Sequence, residues 1–114
     1  MSEPTIFEEI RALTHELRHA NGRYWSDLRD LVRERGIAAD TLVVLDRIPE
    51  EGDLDFVAVV LEDSRVMEIE YADRHYVPRE RPEIRAWLDV TPGTPEWSVY
   101  SDRIDVAHAR RAEI

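Results

Sequence analysis

The chain has 114 residues, a net charge of −10, 43% hydrophobic and 35% charged residues, which is the size and balance of one compact domain with its own core. It contains no cysteine, which excludes disulfides, thiolate nucleophiles and cysteine-based metal sites. All fifteen basic residues are arginine, so a lysine Schiff base and a phosphate-loop lysine are excluded as well. The longest apolar run, Phe56 to Leu61, is far below the roughly 20 residues that span a bilayer. Met1-Ser2-Glu3-Pro4 lacks the basic and apolar parts of a secretory signal, and together with the missing cysteines this predicts a cytoplasmic protein.

Residues 5–20 are predicted to be a helix. Ile6, Ile10, Leu13, Leu17 and Ala20 form one apolar stripe at 3–4 spacing, Pro4 suits the first turn and Gly22 suits the end. Residues 23–35 form a second helix with Trp25, Leu28, Leu31 and Val32 inward and Gly36 as terminator. The short link predicts an antiparallel helix pair. Beyond Asp40 the pattern turns to strands. Thr41 to Ile48 is β-branched and apolar, and Pro49 to Asp53 closes it as a loop. Leu54–Glu62 and Arg65–Ala72 then form a hairpin about Asp63-Ser64.

With that two-residue turn, Phe56 faces Tyr71, Ala58 faces Ile69 and Val60 faces Met67, an apolar surface for the helices. The opposite surface pairs Val57 with Glu70, Val59 with Glu68 and Leu61 with Val66. An outward row of Val57, Val59 and Leu61 would need a cover. A slip of one residue would exchange the two surfaces. Further on, Ile84, Ala86, Leu88 and Val90 alternate as in a strand, although Pro82 suits a helix start equally; Thr91 to Pro95 is a turn; Trp97 to Tyr100 reads as a last strand; and Ser101 caps a short terminal helix. The resulting expectation is an α+β domain over 1–114, with the helix pair on one face of a mainly antiparallel sheet of four to five strands.

One motif suggests chemistry. His15-Glu16-Leu17-Arg18-His19 is an H-E-x-x-H on a helix, which offers two imidazoles to a zinc ion and Glu16 as general base for a bound water. Extended to Gly22 it resembles the opening of the metzincin zinc-peptidase signature. That resemblance covers eight residues and implies a third ligand at position 25, where this chain has Trp25, which offers only an N–H. Asp27, Asp30, His75 and His108 remain as ligands only through the fold. The plainer reading is an exposed helix face, with no cofactor and no metal.

The charge distribution points elsewhere. Residues 1–36 hold seven acids against six arginines, whereas 46–73 hold ten acids against Arg47 and Arg65. Such a field repels nucleic acid and anionic membranes and attracts cationic proteins. Arg74, His75, Arg79, Arg81 and Arg85 are interleaved with Asp73, Glu80 and Glu83, the pattern of an internal ion-pair network. The preferred expectation is a small acidic module that neutralises or escorts a basic protein, similar in size and charge to immunity proteins of bacterial toxins, antitoxins and secretion chaperones. Its expected contact residues are Val57, Val59, Leu61, Glu62, Asp63, Glu68 and Glu70. The alternatives are a zinc-dependent hydrolase built on His15, His19 and Glu16, and a self-associating subunit, such as a homodimer, built on the Val57 surface.

Overall fold

The computed structural model describes residues 5–21, 23–49, 54–60, 65–72 and 83–114. They form α1 (Ile6–His19), α2 (Arg23–Glu34), a 3-10 turn (Ala39–Thr41), β1 (Val43–Pro49), β2 (Leu54–Val60), β3 (Val66–Ala72), β4 (Glu83–Val90), α3 (Pro95–Ala109) and a final 3-10 turn (Arg111–Glu113). The class is α+β with a small antiparallel sheet, in the order β1-β2-β3-β4.

Local chemistry sets the helix ends. The Thr5 hydroxyl caps α1 by accepting from the Glu8 N–H at 3.2 Å, and Glu8 and Glu9 lie in the first turn, where the helix dipole favours acids. At the far end of α1, the Leu17 and Ala20 carbonyls accept from the Arg29 guanidinium at 2.9 and 3.2 Å, which ties the two helices together. Gly36 closes α2 at φ 80°, a conformation that side chains with a Cβ resist.

The helices divide between the two sheet faces. On the α2 face, Trp25, Leu28 and Val32 pack with Leu17, Leu42, Val44, Val57, Val59, Met67 and Ile69. On the other face, Tyr100, Ile104 and Ala107 of α3 pack with Ile10, Val43, Leu45, Val66 and Val90. Helix α1 runs along β1 and sends Ile10 into one core and Leu17 into the other. The helices therefore do not share one face: α1 lies at the sheet margin, between α2 and α3.

That margin explains why arginine suits this chain. An edge strand exposes unpaired N–H and C=O groups. Here the Val44 N–H donates to the Thr14 hydroxyl at 3.0 Å. The Thr41, Leu42 and Leu45 carbonyls accept from Arg111, Arg18 and Arg103 at 3.1, 3.1 and 2.9 Å. Arg103 also pairs with Glu9 at 2.6 Å. Side chains thus take the place of a neighbouring strand along the β1 margin, and the forked guanidinium lets Arg103 serve a backbone carbonyl and a carboxylate together.

Two further expectations fail. First, the hairpin register is one residue away from that of a two-residue turn: Val57 pairs with Ile69, Val59 with Met67 and Val60 with Val66. Val57 and Val59 are accordingly 0% and 1% exposed, inside the α2 core, and they offer no surface to a partner or a second subunit. Second, Trp97–Tyr100 is not a strand. Thr94 caps α3 by accepting from the Trp97 N–H at 3.3 Å, Pro95 occupies the first turn, and Ser101 lies within the helix. Of the two readings of residues 83–91, the strand holds, because Glu83–Val90 pairs with β3. Gly22, Leu61, Glu62, Asp63 and the Asp63-Ser64 turn lie outside the described residues.

Candidate functional site

A β-bulge sorts the charges of β1. Val44 pairs with Val59, but Asp46, two residues on, pairs with Ala58, so Leu45 is the extra residue. Without that insertion Asp46 would share the face of Val44 and point at the α2 core. With it, Asp46 turns to the α3 face and Arg47 to the α2 face, where its guanidinium lies 5.9 Å from the centroid of the Trp25 ring. Arg65 also serves the α2 side, binding Asp89 at 2.8 Å beside the Met67 sulfur. Arg35 stacks over Trp87 at 4.7 Å on that side, and the Trp87 N–H donates to the Met67 sulfur.

The α3 face of the strands carries the opposite sign. Glu68 and Glu70 alternate with Met67 and Ile69 along β3 and so lie away from the α2 core, both half-buried. Glu68 stands opposite Leu88 and Glu70 opposite Ala86. The Tyr100 hydroxyl, carried over the sheet by α3, donates to Glu68 Oε2 at 2.9 Å. Leu88 is 60% exposed, a large apolar side chain left open beside these carboxylates. A shallow pocket of about 290 Å³ joins Glu68 and Leu88 to Thr91, Thr94 and Glu96. Exposed Glu96, Asp102 and Asp105 on α3 extend the acidic surface. Among the described residues no cation pairs with Glu70, and Arg103 is directed to the β1 margin by Leu45 and Glu9.

Tyr100 ties this face to stability. Its burial, then its bond to Glu68, then the charges of Glu68 and Asp46 raise its pKa well above the ordinary tyrosine value of 10.0. An unfolded tyrosine therefore releases its proton first as pH rises. The stability linked to Tyr100 is complete below pH 10 and is lost as pH climbs toward the folded value. Urea midpoints of Tyr100→Phe should consequently fall less between about pH 9 and pH 11 than those of the unmodified protein. An equal fall in both would refute the assignment.

No family model matches the chain, and neither do curated proteins or solved structures. Function has to be read from the chain's own geometry.

The structure places the remaining sequence candidates as follows. His15, Glu16 and His19 are exposed on α1, with the two imidazole centroids 4.8 Å apart. Trp25, at the third-ligand position of the metzincin-like pattern, is only 6% exposed and belongs to the α2 core. Among the described residues no group of three or more His, Asp or Glu is placed to hold a metal. Trp87 and Trp97 each pack, half-buried, against a core cluster. Arg74, His75, Arg79 and Arg81 lie outside the described residues, and no described helix is long and apolar enough to cross a membrane. Sequence reasoning missed Asp46, Leu88 and Tyr100. The bulge hid the first and the mistaken C-terminal strand hid the third; the sequence pattern did place Leu88 on one face with Val90.

Proposed function

We propose that the protein is an acidic binding module whose recognition surface is the part of the sheet that α3 leaves open, and that it neutralises or escorts a basic protein partner. The observation that supports this reading is the sorting of charge through the sheet. Asp46, Glu68 and Glu70 gather on the face that carries exposed Leu88, while Arg47 and Arg65 are drawn to the other side. An apolar centre with an acidic rim suits a cationic polypeptide: the apolar contact supplies affinity, and the carboxylates raise the association rate and repel acidic competitors. The same rim opposes a homodimer through this face, because a two-fold axis would set like charges against each other.

Glu70→Gln combined with Leu88→Ser tests the reading while leaving Tyr100 and Glu68 themselves unchanged. Basic proteins captured by the unmodified chain should elute as salt is raised, and the double variant should bind them at least about tenfold more weakly. Equal recovery of the same proteins by the folded double variant would overturn the proposal.

A further inference from the structure

The groove beside α1 has a property that partner binding does not use. It holds about 570 Å³ and is lined by His15 and His19 together with the acids Glu8, Glu16 and Glu113 and the cations Arg11 and Arg18. The two imidazoles stand one turn apart on a helix that is anchored along its length by buried Ile10, Thr14 and Leu17. Their centroids are 4.8 Å apart and their planes are inclined at 52°. Two imidazole nitrogens holding one ion at about 2.0–2.1 Å place the ring centroids about 4.5 to 5.2 Å apart, as the angle at the metal opens from about 90° to about 109°. The observed separation falls within that interval.

We infer that His15 and His19 form a two-point chelate for a divalent transition ion of the zinc, nickel or copper class. Imidazole nitrogen is a ligand for these borderline ions and not for magnesium or calcium, which take oxygen. The further coordination positions are left to water. Glu113 is drawn toward Arg110 by hydrogen bonds of 2.8 and 3.0 Å, and the Arg18 guanidinium is turned to Leu42, so neither occupies the space between the imidazoles. With Trp25 buried in the core, this is an open surface chelate and not the three-ligand centre of a peptidase.

Calorimetry with Zn²⁺ on untagged protein tests the site. One ion should bind per chain, and His15→Ala and His19→Ala should each weaken binding at least about tenfold, while His108→Ala leaves it unchanged. Zn²⁺ should raise the melting temperature of the unmodified chain and not that of the variant lacking both histidines. Cu²⁺ bound to the unmodified chain should show two imidazole nitrogens in its paramagnetic resonance spectrum, a readout that needs no variant to fold. Absence of binding, or binding that survives loss of both histidines undiminished, would overturn the inference. Neither result bears on the carboxylate face, which lies on the sheet.

Discussion

Val59→Glu is expected to unfold the protein at neutral pH, with a loss of roughly 4–7 kcal/mol. Val59 is 1% exposed and packs between α2 and the sheet, with Met67 as its partner across the ladder. A carboxylate there has no described cation to meet inside a cluster of Leu, Val, Met, Ile and Trp side chains. It takes up a proton rather than ionise without water. At pH 7 this costs about 1.4 kcal/mol for each of the roughly 2.7 units above an ordinary glutamate pKa of about 4.3, about 4 kcal/mol. Burying the neutral carboxyl with its extra volume adds about 1–3 kcal/mol. That is comparable with the lower half of the roughly 5–15 kcal/mol that holds a domain together. The sign gives a second check. A raised carboxyl pKa in the folded state penalises folding once the unfolded carboxyl ionises, so the deficit should shrink as pH is lowered from 7 toward 5. Urea titrations at the two pH values measure it. Were Val59 on the outer surface, as a two-residue turn would require, the substitution would change stability by only about 0.5 kcal/mol. A near-neutral result would therefore refute the register.

Thr14→Val should destabilise the protein by about 1–3 kcal/mol while leaving its volume almost unchanged. The Thr14 hydroxyl accepts the Val44 N–H at 3.0 Å, and both residues are sealed from solvent at 1% and 0% exposure. Valine keeps the branched shape but presents a methyl group where the oxygen stood. Water cannot take over, so the Val44 N–H is left desolvated and unpaired. Thr14→Ser, which retains the oxygen and loses only a methyl group, should cost about 1 kcal/mol, the order expected for one buried methyl group. If urea midpoints rank the serine variant below the valine variant, the hydroxyl does not seal the edge strand.

The two helices of the N-terminal half were legible because their signals are local. The Ile10-Leu17 stripe and the Trp25-Leu28-Val32 stripe each repeat within one element, and both are buried. Strand β3 was legible for the same reason, since Met67 and Ile69 alternate with Glu68 and Glu70. Strand β2 was not. Every residue from Phe56 to Leu61 is apolar, so alternation cannot choose which side faces inward. The choice fell to the loop, and Val60↔Val66 leaves five residues between the paired positions, an odd spacing that reverses the assignment made with a two-residue turn. At the C-terminus, the short run Trp97-Ser98-Val99-Tyr100 resembles a strand, whereas Thr94-Pro95 is the signature of a helix start; the cap and the 3–4 spacing of Trp97, Tyr100, Ile104 and Ala107 prevail.

Composition and periodicity alone account for the α+β class, the inward stripes of α1 and α2, the chemistry that is excluded, and the surplus of carboxylates in 46–73. Where that surplus lies was set by long-range pairing. A single extra residue at Leu45 turns Asp46 out of the core, and the register of β2 on β3 places Val57 and Val59 beneath α2 and the carboxylates of β3 on the opposite side. Side-chain direction in a helix follows from neighbours within a turn. In a sheet it depends on how residues far apart in the chain line up, and a shift of one position inverts every side chain of a strand.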